Sequence, residues 1–515
     1  MQRTASDPTQ TVTTFLADPA SHGGAAVERV ETHAAIVFLA GDRAYKLKRA
    51  VRYPYLDYST AERRRAACVE ELRLNRRTAP SLYLGLESVV RRADGALAFG
   101  GAAAAGGTAL DWLVAMRRFP QDALLDRVAE RGCLTDRLIR DLADAVTAFH
   151  TAAQPRPDGG GAAAMREVVE GSIAELRACP ALFPPERVER LARGSAEALA
   201  RLTPLLEERR RDGFVRHCHG DLHLRNIVLL DGRPVLFDGI EFDERLAVID
   251  IAYDIAFLLM DLEQRGLRPL GNMFLNRCLD ATEDYAALAL LPLFLSARAA
   301  IRAKIAVTMA ALRPDDAAAQ RLKQDAAAYL DHALAALEPP PPRLVAIGGL
   351  SGSGKTRMAR ALAPSLGPSP GAVVLRSDAL RKRLFGIGEA ERLPNHAYTP
   401  AVTEQVYAGL LDRARAVLAA GHAVVLDAVH ARPAERAAVA RVAAEAGVRF
   451  DGLWLDAPLD TRIARIAARR GDASDATAEV ARLQEGYDLG PLEWLRTNAG
   501  RDAGETLAAV LERLV

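Results

Sequence analysis

The stretch "GGLSGSGKT" (348–356) admits few folds. Gly349, Gly354, Lys355 and Thr356 complete a G-x-x-x-x-G-K-[ST] template, a loop that works only between a buried strand and a helix. Both flanks are present, "RLVAIGG" as the strand and "RMARALAPSL" as the helix. With Ser351, Gly352 and Ser353, the glycines let the backbone curl until its N–H groups and the helix N-terminus face an anion. Lys355 is then expected to reach the terminal phosphates, and the Thr356 hydroxyl to help hold Mg²⁺. Further apolar runs, "AVVLRSD" (372–378), "HAVVLD" (422–427) and "RFDGLWLDA" (449–457), alternate with amphipathic segments, which predicts an α/β domain with a doubly wound parallel sheet. Ligands of such sheets lie beyond the carboxyl ends of the strands. Asp378 and Asp427, read as ending the second and third strands, are therefore expected beside the loop. Asp378 would orient an acceptor hydroxyl and Asp427 would support the metal. The segment 460–477 carries Arg462, Arg465, Arg469 and Arg470 on one helix. Arg465 and Arg469 share a face and are expected to close over the transferring phosphate.

Pro339 to Pro342 form a stiff spacer immediately before this region. They divide the chain into residues 1–338, a 339–342 linker and 343–515. The first part reads as a strand-rich lobe to about 115 and a larger helical lobe to 338. Within it, "HCHGDLHLRNIVLLDGRPVLFDGIEFD" (217–243) sets acids at the ends of short apolar runs, where burial is unfavourable unless a partner or metal is present. His219-x-Asp221-x-x-x-x-Asn226 has the spacing of a protein-kinase-like catalytic loop. Asp221 is expected to take the acceptor's proton, and Asn226 and Asp238 to hold a nucleotide-bound metal. Glu241 and Asp243 are possible further ligands. Lys46 and Lys48 share a strand face, and Glu70 and Glu71 lie on the helix that follows. Lys46 paired with Glu71 is the favoured phosphate-holding combination. "DWLVAMRRF" (111–119) is placed like a hinge that meets adenine.

The P-loop part, through "RSDALRK" and the Arg-rich helix, resembles the small P-loop kinases of the zeta-toxin, chloramphenicol-phosphotransferase and polynucleotide-kinase branch. That resemblance implies action of Asp378 on the acceptor hydroxyl and substrate binding by Arg381. The first part resembles the aminoglycoside-phosphotransferase and choline-kinase group, implying an α+β protein-kinase-like domain ahead of the α/β P-loop NTPase domain. The combination "VFLAGDRAYKLKRAVRYPYLDYSTAERRR", "CHGDLHLRNI" and "FDGIEFD", followed by a P-loop, is similar over nearly the full length to bacterial bifunctional aminoglycoside phosphotransferase/ATP-binding proteins. It departs from the kinase pattern in lacking a G-x-G-x-x-G loop, "SHGGAAV" (21–27) being the substitute.

Composition narrows the partners. A formal charge of +1 with no basic block argues against a long nucleic-acid track. The longest apolar run, 286–297, is too short to span a bilayer, and the N-terminus lacks a signal-peptide pattern. Five scattered cysteines without C-x-x-C spacing fit a reducing cytoplasm. The expectation is a cytoplasmic enzyme with two modules that use ATP and Mg²⁺ to phosphorylate small-molecule hydroxyls. The alternatives are a nucleotide-regulated sensor with a pseudokinase first domain and a nucleic-acid end kinase.

Overall fold

The computed structural model describes residues 8–32, 34–53, 56–100, 107–311, 317–388, 391–468, 474–500 and 502–514. The chain forms two compact units. One joins the residues up to Glu167 with Thr203–Leu258, and the other joins Val168–Leu202 with Leu259–Val515.

The first unit opens with a six-stranded antiparallel sheet. Its order is Val27–Glu31, Ala35–Ala40, Arg43–Lys48, Thr108–Arg117, Tyr83–Arg91 and Leu97–Phe99. Helix Pro8–Ala17 packs Val12 and Leu16 against Ile36, Phe38, Leu47 and Leu113 on one face. Helix Ala61–Asn75, capped by the Thr60 hydroxyl, packs Cys68 and Leu72 against Leu39, Ala44 and Val114. Strand alternation therefore sends Leu47 into one core and turns Lys46 and Lys48 toward the helix that carries Glu71. The segment expected as a hinge is mostly the central strand Thr108–Arg117, so only its last two residues, Arg118 and Phe119, are free to connect the lobes. "SHGGAAV" lies on the 3-10 turn Pro19–His22 and the approach to the first strand. It is therefore at the opposite end of that strand from residues 32–34, which join it to the second. Beyond the sheet come helices and two short ladders, Ile227–Leu230 with Arg233–Leu236 and Val215–His217 with Val248–Asp250.

In the second unit, five parallel strands run in the order Val373–Arg376, Val424–Asp427, Arg343–Gly348, Arg449–Asp456 and Leu495–Asn498. The strand before the phosphate loop is central. Chain connections leave it in opposite directions, so the loop sits at the switch point where such sheets bind ligands. Val345, Ile347, Val425 and Leu453 meet Met358, Leu362 and Val510 in the core. Two sequence expectations need correction. The second strand stops at Arg376, and Asp378 belongs to the first turn of helix Ser377–Leu384. A fifth strand, Leu495–Asn498, was not expected because "LRTN" is short and has Leu495 as its one apolar residue, as an edge permits.

The opposite edge, Val373–Arg376, is covered by helix Arg268–Thr282. Asn276 Oδ1 accepts from the Val374 N–H at 2.7 Å, and the Asn272 and Asn276 amides donate to the Ala372 carbonyl at 3.0 and 3.2 Å. Arg268 adds bonds to the carbonyls of Pro364 (2.6 Å) and Gly367 (3.2 Å). In packing, then, the helices from Leu259 to Leu337 group with the parallel sheet, although they precede the proline run in the chain. Asn276→Ala should remove about 1–3 kcal/mol of local stability. Faster amide exchange at Val374 in the full chain is the expected readout, and unchanged protection would show that the amide is dispensable.

Candidate active sites

In the first unit, a run of alternating charges crosses from the sheet to the 217–243 segment. Lys46 Nζ donates to Glu71 Oε1 at 2.8 Å and to Asp238 Oδ1 at 2.5 Å. Lys48 Nζ meets Glu71 Oε2 at 2.5 Å and also pairs with Glu241, which accepts from the Tyr58 hydroxyl at 2.9 Å. Glu71 is fully buried, and Lys48 nearly so. Burial disfavours the charge on Glu71, but the two lysines outweigh it and hold the carboxyl well below the usual carboxylate range. Burial likewise opposes the charge on Lys46, and Asp238, Glu71 and Glu241 together raise its pKa well above normal. Glu70, the other helix acid weighed for this role, faces out and pairs with Arg73. Lys48, Glu241 and Tyr58 were not anticipated as one network, because nothing in sequence spacing shows which charges meet across 183 and 193 positions. The possible ligands Glu241 and Asp243 have structural partners: Asp243 caps helix Glu244–Ala247 and pairs with Arg245.

The Glu71 shift has a definite sign. A carboxyl depressed in the folded state stabilises above its ordinary pKa, and that contribution is lost as pH falls toward the folded value. Glu71→Gln should therefore flatten the acid limb of stability. It should also cost about 3–5 kcal/mol at neutral pH, because two buried ammonium groups lose a shared partner. Unfolding followed against pH by circular dichroism tests both effects.

The catalytic-loop residues converge. Asn226 Nδ2 donates to the backbone carbonyl of Asp221 at 3.0 Å and to its Oδ2 at 2.8 Å. With the Asn226 NH2 engaged in this way, its carbonyl oxygen is the atom that could serve as a cation ligand. His223 Nε2 lies 3.3 Å from the same carboxylate. Asp238 takes a left-handed conformation (φ 59°), and Tyr83 Oη accepts from its N–H at 3.1 Å. Buried Asp254 fixes the loop from below, accepting from the N–H groups of His219 (3.1 Å) and Gly220 (2.9 Å) and lying 2.9 Å from His150 Nε2. Gly220 has φ 82°, and a Cβ there would come within 2.9 Å of the Leu246 carbonyl. His150, Cys218 and Asp254 lie close enough to suggest a metal cluster. The backbone bonds to Asp254 already give that carboxylate a structural task. His219 orients backbone through the Phe237 carbonyl at 2.9 Å. Asn75 ties the helix of Glu71 to the Asp238 segment by accepting from Gly239 N–H at 2.8 Å.

In the second unit, Gly354 (φ 99°) caps helix Lys355–Leu362. A Cβ on Gly352 (φ 86°) would come within 2.6 Å of the Arg462 carbonyl, so the loop's curl depends on this glycine. Thr356 Oγ1 donates to Asp427 Oδ2 at 2.6 Å, with Arg376 Nε 3.5 Å from the same oxygen. Lys355 Nζ reaches the Leu350 carbonyl at 3.4 Å. Asp378 is pushed above the usual range by burial and by Asp427, with Lys355, Ser474 and Arg376 pulling the other way. The influence of Asp427, Lys355, Ser474 and Arg376 on Asp378 places it beside the loop despite its helical rather than strand location. Arg381 donates to the Ala397 carbonyl at 2.6 Å and lies over the Tyr398 ring at 5.1 Å.

Arg465 donates to the Ser353 carbonyl of the loop (3.3 Å) and to the Ala499 carbonyl just past the strand Leu495–Asn498 (2.8 Å). Arg462 donates to the Ser351 carbonyl at 3.3 Å and pairs with Glu485. Arg469 lies outside the described residues. The Ser351 N–H donates to Gln484 Oε1 at 2.7 Å, and Ser353 Oγ is buried without a hydrogen-bond partner among the described residues. Gly349, at the loop's entry, donates its N–H to the Val429 carbonyl at 3.1 Å.

A lysine–glutamate pair beneath a small antiparallel sheet, and a phosphate loop on a parallel one, define a chain with two kinase-type modules. Comparison with known proteins agrees. The profile of the Phosphotransferase enzyme family matches residues 97–291, and an AAA domain matches 344–487. Uncharacterized proteins of Mycobacterium tuberculosis and Mycobacterium bovis are 33% identical over 461 residues, covering 88% of this chain and 88% of theirs. The chain belongs to their family, that of the bifunctional aminoglycoside phosphotransferase/ATP-binding proteins, in which a protein-kinase-like domain precedes an α/β P-loop domain. The adenylyl-sulfate kinase of Myxococcus xanthus is 35% identical over 118 residues, 23% of this chain and 59% of that protein. A choline/ethanolamine kinase family protein from Mesorhizobium loti aligns with a TM-score of 0.38 at 15% identity, over 64% of this chain and 99% of that one.

Proposed function

We propose that the protein is an ATP-dependent phosphotransferase with two sites, each passing the γ-phosphoryl group to a hydroxyl of a small molecule. The observation that carries this reading is that each module keeps an acceptor-side carboxylate, Asp221 or Asp378, besides its phosphate-holding cation and metal-side acid. A site that only binds nucleotide has no use for that carboxylate. In each transfer the acceptor oxygen bonds to the γ-phosphorus as the bond to the β,γ-bridging oxygen breaks. ADP leaves with that electron pair, and the acceptor's proton passes to the carboxylate.

Asn226 and Asp238 in one module, and Thr356 and Asp427 in the other, offer the oxygen donors that suit Mg²⁺. The bound ion would neutralise phosphate charge. Lys46, positioned by Glu71, and Lys355 with the loop amides of residues 349–356 hold the phosphates. Arg381 contacts the acceptor side, and Arg465, bonded to the Ser353 carbonyl of the loop, would with Arg469 meet the transferring phosphate. Five free thiols suit a reducing, cytoplasmic setting.

The test is incubation of the full chain with γ-labelled ATP, Mg²⁺ and a metabolite extract, with products identified by mass spectrometry. Two product sets are expected, one lost in Asp221→Asn and the other in Asp378→Asn. One observation favours a sensor role for the first module: the sequence joining its first two strands, Thr32-His33-Ala34, contains no glycine to wrap phosphate. If products depend on Asp378 alone, the first module is a sensor.

A further inference from the structure

One buried group in the P-loop module has no part in the chemistry described so far. His430 lies three residues beyond Asp427, is 1% exposed, and adopts φ 50°, a left-handed conformation uncommon for residues other than glycine. Its backbone is held on both sides. The N–H donates to Tyr407 Oη at 3.0 Å, and the carbonyl accepts from Arg436 at 2.9 Å. Its ring packs edge-on between Tyr407 and Trp494, with centroids 5.5 and 5.3 Å away. Yet neither ring nitrogen has a hydrogen-bond partner among the described residues. Buried polar atoms are rarely left so, and held, strained conformations gather at ligand sites.

The surroundings say which ligand group suits it. The ring feels the charge of Lys355, and Tyr407 feels those of Asp378 and Arg381. His430 therefore lies near the phosphate loop, directly after Val429, whose carbonyl accepts from the Gly349 N–H at 3.1 Å, and its own N–H is bonded to Tyr407, which Asp378 and Arg381 influence in turn. Burial, Lys355 and Arg436 push its pKa down to about 3, so the imidazole is neutral at physiological pH. A neutral imidazole offers one donor and one acceptor, which complements a hydroxyl better than an anion.

We infer that His430 recognises the acceptor of the P-loop module by hydrogen-bonding a second hydroxyl, adjacent to the one that Asp378 orients. The acceptor class is then a polyhydroxylated small molecule. This inference rests on the phosphotransferase reading of the module and deepens it.

The test uses the full chain as wild type, His430→Asn, His430→Phe and Asp378→Asn. Asn tolerates the left-handed conformation and keeps a donor and an acceptor, whereas Phe keeps only the shape. Binding of a non-hydrolysable ATP analogue with Mg²⁺ is measured first, with Lys355→Ala identifying the P-loop site. Labelled phosphate transfer follows, onto a panel of alditols, aldoses and ribosides, onto simple mono-alcohols, and onto a metabolite extract. The expected result is Asp378-dependent labelling of a polyol. His430→Phe should raise the KM for that polyol by about tenfold or more, with kcat changed less and nucleotide affinity within about twofold. His430→Asn should recover part of the loss, and this variant reports even if His430→Phe does not fold. An unchanged KM in both variants, or weakened nucleotide binding in His430→Asn, overturns the inference, the latter assigning His430 to the nucleotide instead. Asp378-dependent labelling of mono-alcohols alone overturns it while sparing the phosphotransferase reading. If nothing in the panel or the extract is labelled in an Asp378-dependent way, both fail.

Discussion

Lys355→Ala should lower Asp378-dependent product formation by on the order of 10²- to 10³-fold, the scale of losing one preorganised charge from a transferring phosphoryl group. The loop would keep its shape, because that shape is set by Gly352, Gly354 and the Arg462 and Arg465 bonds to loop carbonyls. Nucleotide affinity should fall in parallel, since the same ammonium serves the ground state. Products that depend on Asp221 should persist unchanged in this variant. Measuring both product sets in one reaction makes the comparison internal. Wild-type yields of Asp378-dependent product would remove the loop from the chemistry.

Asp221→Asn has the second large effect and a different signature. It should reduce transfer in the first module by about 10²- to 10⁴-fold, the usual share of a positioned general base. Nucleotide binding should survive, because Lys46, Glu71 and Asp238 make their contacts without Asp221. The substituted amide keeps the carboxylate's shape and can still accept from Asn226. The loop is also held independently, through Asp254 and the N–H groups of His219 and Gly220. A loss of turnover with intact binding therefore isolates proton transfer. Equal turnover in the two proteins would mean that Asp221 is a turn residue.

The phosphate loop was legible from the sequence because its requirements are local: a strand, glycines at fixed offsets and a helix. The same holds for Asp221 and Asn226, five positions apart on one short turn. Lys46 and Lys48 share the strand face turned toward Glu71, so periodicity narrowed the pairing without choosing between the two lysines. Lys48 could not be resolved in this way, since its other partner, Glu241, is brought to it only by tertiary packing. Asp378 was assigned to the right neighbourhood on the wrong element, as one more turn of extended chain and the first turn of a helix end near the same place. His430 gave no signal, because a histidine after a strand looks ordinary until both of its nitrogens are found without partners.

The asparagines along the edge of the parallel sheet bear on how this architecture can be rearranged. A P-loop cassette excised at the prolines would carry a raw margin, with Ala372 and Val374 stripped of the amides supplied by Asn272 and Asn276. Such a fragment would be prone to strand-to-strand association with its own copies. Fusions or transplants that begin near residue 259 instead would bring Asn272 and Asn276 with them, and so keep this margin covered.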